Sequence, residues 1–284
     1  MENNTRTLYG LGLETALLLG LPAPMMAHTT LNELLNINPG QVPALGNTPT
    51  MRYIALDRGG LTMVSGADGT PLPSSSQHQS TDASGFTLLP FVLRLAGNDL
   101  STTDRTKYAL RRLEQHGGQT YVAYYLRRID FTGVSVDYKY TTVDTNGNET
   151  TTDYVPTEAN LNPTPQQLAS DGTNKPTGDY VTASAILDVS LQAADCQEIL
   201  NAAKIIYNDE RYAIITNMLL VSGFDQTMQT PIDTGSGTVP MLECNAAQVT
   251  HFYNTFQPVN YEKDGITTTL EVGGSEPLMK LAQS

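Results

Sequence analysis

The chain has 284 residues, enough for one large domain or two modest ones, and either can bury a sizeable core. Only 16% of residues are charged, against roughly 25% in ordinary soluble domains; Thr and Asn fill the gap, and Tyr (14) outnumbers Phe (6) with no Trp. A net charge of −13 argues against a general nucleic-acid binder, which needs clustered cations, and two cysteines are too few for a disulfide scaffold.

In chain order, residues 1–50 read as an N-terminal arm with a short helix. Leu13, Ala16, Leu17 and Leu21 recur at helical spacing until Pro22 and Pro24 stop the run. With Arg6 the sole cation ahead of this segment, a signal-peptide reading is poor, and no run reaches the ~18 apolar residues that span a bilayer. Residues 51–284 read as a β-rich main domain. In it, residues 51–64 suggest a strand pair around Arg58-Gly59-Gly60, residues 65–85 a polar loop, and Leu88–Leu95, with Pro90, an edge strand. Residues 101–116 fit a helix or the first arm of a hairpin turned by Gly117-Gly118 into the strand Tyr121–Ile129; the hairpin is favoured slightly.

Residues 134–155 give the clearest local signal. Val134, Val136, Tyr138 and Tyr140 alternate with Ser135, Asp137, Lys139 and Thr141, the period of a strand with one buried face. Asn146-Gly147 then supplies hairpin-turn chemistry, and Glu149–Val155 returns. The outward face is polar, so this hairpin is expected to project.

Residues 156–180 read as a long polar loop. The strand Ala183–Leu191 follows, then a helix capped by Asp195 with Glu198 as its box partner and with Ile199, Ala202, Ala203 and Ile206 on one face. Asn208-Asp209 ends the helix, Tyr212–Val221 reads as a buried strand and 225–240 as another loop. Alternation resumes after Gln248, and Asp264-Gly265 turns a last hairpin into Ile266–Val272. The expected fold is mainly β with one or two packed helices (α+β), a sandwich- or barrel-like sheet covered by a helix.

Charge is uneven. Residues 94–128 hold seven cations against three acids, a local +4 that leaves −17 elsewhere, while 141–195 hold eight acids and one Lys. One reading is pairing within the chain or a solvated face. The other is docking of the basic segment of one copy on the acidic segment of another. On the second reading Arg105, Arg111, Arg112, Arg127 and Arg128, with the Asn146-Gly147 tip, are inter-subunit contacts.

Reactive constellations are thin. Asp233-Thr234-Gly235-Ser236 matches the active-site loop of aspartic proteases, where two carboxylates share a proton, but it occurs once and lacks a leading apolar strand. Cys244 with His251 has no third partner, and Cys196 has no adjacent base. Tyr121, Tyr124 and Tyr125 beside Arg127-Arg128 could stack single-stranded nucleic acid, but read more simply as core and rim. Histidines and cysteines lack zinc spacing, and no glycine-rich run has the context of a phosphate cradle. The expectation is a non-enzyme with no catalytic, cofactor-binding or metal-ligating residues and no nucleic-acid or membrane partner.

Thr7–Glu14 (TLYGLGLE), the Thr/Asn/Gly-rich strands, Thr120–Asp130 (TYVAYYLRRID) and Asn208–Ile215 (NDERYAII) together resemble virion structural proteins of tailed bacteriophages, of the neck, tail or baseplate type. The resemblance implies a ring- or lattice-forming subunit, assembled in the host cytoplasm, whose partners are copies of itself and other virion proteins. The alternatives are a carbohydrate- or receptor-binding module and, behind it, an aspartic-type hydrolase resting on Asp233.

Overall fold

A computed structural model describes residues 3–6, 10, 13–14, 17, 31, 35–37, 49–58, 63–65, 71–73, 78–154, 174–232, 237–259 and 265–281. The chain divides into two compact units, residues 1–130 with 190–267 and residues 131–189 with 268–284. The described residues of the arm expected over 1–50 fall in the first unit, and the main domain expected over 51–284 is shared between the two. Both are built from antiparallel strands, so the fold is mainly β, with one substantial helix among the described elements.

The first unit holds an eight-stranded sheet. Its strands are β1 (Asn3–Arg6), β2 (Thr50–Asp57), β5 (Leu88–Leu89), β6 (Val92–Leu95), β7 (Tyr108–His116), β8 (Gln119–Arg128), β12 (Ile214–Pro231) and β13 (Thr238–Pro258). They run in the order β1-β13-β12-β2-β8-β6, with β5 paired to β2 and β7 to β8. A small ribbon joins β3 (Met63–Ser65) to β4 (Pro71–Pro73). The central strands are buried on both faces: Tyr53 to Asp57, Ile214 to Phe224 and Glu243 to Tyr253 are closed to water without interruption. Such strands lose the period-2 signal and read as continuous apolar runs.

One helix covers part of this sheet. Ala193–Tyr207 (α2; the single turn Thr102–Arg105 is α1) packs against β6 and buries Cys196, Ile199, Leu200, Ala202 and Ala203. Gln192 is its N-cap, and its backbone N–H donates to Asp195 at 2.8 Å. The expected cap, Asp195, is therefore the third helical residue. The first helical bond already runs from Cys196 N to Gln192 O, which leaves Glu198 free to pair with Arg94. The helix ends at Asn208 in the left-handed region (φ 57°), which Asn tolerates.

The second unit holds a four-stranded sheet in the order β10-β9-β11-β14, made of β9 (Val136–Val143), β10 (Glu149–Asp153), β11 (Asn174–Leu191) and β14 (Ile266–Leu281). The 134–155 hairpin forms as expected. So does the 108–128 hairpin: Ser101 caps one helical turn through Asp104 N, and Gly117 and Gly118 then turn β7 into β8.

Four expectations need correction. The 51–64 segment is no hairpin, because β2 pairs with β12, β5 and β8 while β3 pairs with β4. That β3–β4 ribbon also interrupts the loop expected over 65–85. The loop expected over 225–240 is mostly strand: β12 and β13 stay in register from Phe224↔Asn245 to Pro231↔Thr238. Polar uncharged residues there suit a half-exposed ribbon, in which the partner strand takes the inward-facing backbone groups and the outward-facing ones are left to solvent. Finally β14 pairs with β11, not with the strand before it, so Gly265 opens a crossover and not a hairpin. Of the loop expected over 156–180, residues 156–173 lie outside the described residues, and the rest is strand, since β11 begins at Asn174.

Candidate functional site

The five arginines expected to meet neighbouring subunits are held within the first unit. Arg111, on β7, has a fully buried side chain and donates to Asp99 through Nε (3.1 Å) and Nη2 (2.9 Å), and to the carbonyls of Pro231 and Ile232. Arg105 reaches the same Asp99 oxygen at 2.9 Å. Arg112 pairs with Glu243 on β13 (2.9 Å) and donates to the Leu35 carbonyl. Arg127 holds Asp195 at 3.0 Å, tying β8 to the start of α2. Arg128 holds Asp225 on β12 at 2.6 Å and donates to the carbonyls of Thr106, Tyr108 and Leu242.

This pattern favours pairing within the chain, with partners the sequence did not indicate. Of the five, only Arg127 has its acid in the 141–195 segment; the other acids are Asp99, Asp225 and Glu243. A fully buried Arg111 has no surface to offer a second copy. β7 and β13 are not backbone-paired, yet Arg111 N donates to Glu243 at 3.1 Å, so side chains from one strand complete the hydrogen bonding of the other.

Other ionisable groups are also embedded. Asp57, fully buried, accepts from Phe86 N (3.1 Å), Thr87 N (2.6 Å) and Asn217 Nδ2 (3.3 Å) and lies 3.5 Å from His78 Nε2. The His78 ring stacks between Phe86 and Phe252, with Asp82 at 3.2 Å on its other nitrogen. Burial pushes the Tyr53, Tyr124 and Tyr125 phenols up, and Tyr108 up to about 12. Cys196 and Cys244 are unpaired and buried, and burial raises both thiols, so each is held in its neutral, weakly nucleophilic form. Tyr124 and Tyr125 donate to Asp99 and Glu114, which places the tyrosine cluster in the fold's own network.

The Asp233–Ser236 run lies outside the described residues, between Ile232 and Gly237, which are joined by a 2.9 Å backbone bond. Among the described residues, no three His, Cys, Asp or Glu side chains gather where a metal could be held, and no helix is long and apolar enough to cross a membrane.

Asn146 and Gly147 sit at the β9–β10 turn and are exposed. Asp144 organises this turn by accepting from the backbone of Asn146 and Asn148 and from the Asn148 amide, each at 2.8 Å; the Asn148 bonds hold its carboxyl below the usual range. Gly147 takes φ 82°, a conformation costly for a side chain with a Cβ.

The exposure of the sheet behind this turn departs from the sequence expectation: its apolar face is open around Val136 and Tyr138, while Leu187 and Val189 further along β11 are buried. Register places Tyr140 opposite Val181, Tyr138 opposite Ala183 and Val136 opposite Ala185, so these six share one face, and Tyr154 bonds back to the Tyr138 carbonyl beside them. Val136 is 56% exposed, Tyr138 52% and Tyr154 40%. The opposite face carries Asp137, Lys139 and Asp188, yet it is there that Thr141 is buried, bonded to Thr151 at 2.9 Å. The period-2 signal located an apolar face correctly but not its covering, because covering depends on what packs against the sheet. Met228, Ile232 and Leu242 on the β12–β13 hairpin are also exposed, Leu242 on the face opposite Met228, since Met228 pairs with Met241 and Leu242 with Thr227.

Over residues 1–284 the sequence matches the model of a family of unknown function, DUF7208, and the chain belongs to that family. No curated protein and no solved structure matches it.

Proposed function

We propose that this DUF7208 chain is a structural subunit that assembles with copies of itself, as a virion component of the neck, tail or baseplate type. The observation that carries this reading is the exposed, uncharged face of Val136, Tyr138, Tyr154 and Ala183 on an otherwise acidic protein. Contiguous apolar surface of this kind marks an interface, and tyrosine is enriched in interface cores. Every copy presents the same face: met by its like it closes a two-fold dimer, and met by a different surface of the next copy it repeats around a ring, where the repeats add. Acidic surface elsewhere disfavours contact through other faces, which makes the uncharged one the lowest-cost place to meet.

Two further observations fit. Five arginines of the basic segment are ion-paired within the chain, and burial holds the thiols and buried phenols protonated. The test is light scattering after size exclusion, with negative-stain imaging, on the whole chain and on Tyr138→Asp. The parent should give multimers or rings, and the variant a folded monomer. A parent that stays monomeric at high concentration, with and without other components of its particle, removes the proposal.

A further inference from the structure

Beside the arginine network the first unit has a cleft of about 430 Å³, walled by Thr102, Arg105, Thr106, Tyr108, Arg128 and the Pro240–Leu242 segment of β13. That volume suits one small organic molecule, and such sites pair apolar walls with a few polar groups. The walls here are mostly apolar: Met241 is buried, Leu242 is 52% exposed at the surface, and Tyr108 is buried.

The charge balance beside the cleft is uneven. Arg105 and Arg111 share the single carboxylate of Asp99, each at 2.9 Å. Arg128 is matched by Asp225, Arg112 by Glu243 and Lys107 by Asp104, so none of these acids is left over for Arg105. Arg105 Nε is also buried without a hydrogen-bond partner, while the side chain as a whole is 18% exposed and so still reaches solvent at the cleft. A buried, unsatisfied guanidinium donor next to an excess positive charge points to a missing acceptor.

We infer that this cleft binds a monocarboxylate with an apolar body, its ring or chain lying against Pro240, Met241 and Leu242 and its carboxylate paired with Arg105. A small rotation of the guanidinium gives the ligand one charge-assisted bond and relieves the crowding on Asp99. The chemistry is shared by a free aryl or alkyl acid and by the carboxylate terminus of a peptide, and the site is independent of the assembly proposal.

The probe is 3-phenylpropionate, titrated calorimetrically into the full-length chain beside its neutral amide and a tripeptide ending in Phe. Saturable binding of the acid is expected, with the amide at least about tenfold weaker. Whichever of free acid and peptide binds tighter identifies the source, and both results support a carboxylate site. Leu242→Asp, a change at an exposed position, should weaken the acid at least about tenfold while shifting Tm by less than about 3 °C. Arg105→Gln should erase the preference for acid over amide. Equal binding of acid and amide, unchanged binding by folded Leu242→Asp, or no saturation below about 10 mM overturns the inference.

Discussion

Arg111 and Asp99 form an ion pair of 2.9 Å in which the arginine side chain is wholly shielded from water and Asp99 nearly so. Removing one member of such a pair costs more than the pair itself contributes, because the other is left buried and its remaining partners are disturbed. Arg111→Ala should lose about 3–5 kcal/mol in urea unfolding. Arg111→Met, which fills the space without the charge, should lose less. An unchanged midpoint for Arg111→Ala would show that the pair does not support the fold.

The buried phenols predict alkaline sensitivity. Tyr108 is pushed up to about 12 by burial, against 10 for a solvated tyrosine. Since the folded value is the higher one, its contribution is fully present below pH 10 and is lost as pH rises from 10 through about 12. That gap corresponds to about 3 kcal/mol. Urea midpoints should therefore fall steeply across this window, and tyrosinate absorbance should show a late-titrating class. Tyr53, Tyr124 and Tyr125 shift in the same direction and add to it. A flat stability profile from pH 10 to 12 contradicts this.

Cys196 and Cys244 should resist alkylation in the native chain at mildly alkaline pH and react together once urea unfolds it. Burial both blocks access and raises the thiols, so the thiolate is scarce. Fast labelling of either in the folded state would place that cysteine at an opening the fold does not show.

At Gly223 in β12 a Cβ would overlap Cys244 Sγ and lie 2.9 Å from the Asn245 carbonyl. The register of β12 on β13 shifts between Ser222 and Phe224, so this is a tight irregularity in the longest pairing of the molecule. Gly223→Ala should cost about 1–3 kcal/mol, and adding Cys244→Ala should recover part of it. Simple additivity of the two changes would locate the strain at the backbone carbonyl and not at the sulfur.

Much of the fold is legible locally. The 134–155 hairpin is announced by alternation and Asn146-Gly147, and α2 by Ile199, Ala202 and Ala203 at helical spacing. The β7–β8 hairpin follows from Gly117-Gly118. Less of the candidate site is. Arg111 and Arg128 look alike in sequence, yet one is sealed in the interior and the other lies nearer the surface.

The sequence by itself determined what nearest neighbours along the chain can settle: strand period, turn chemistry, helix face, and an acidic, uncharged-polar balance. Only the tertiary structure decided which face of β9 is covered, which acid each arginine meets, and that residues 225–240 pair and do not loop. Those outcomes depend on register and packing between separate strands, over separations that run from the local 225–240 pairing to the 131 positions between Arg112 and Glu243. A shift of one residue in that register reverses every side chain's face. No local pattern carries that information.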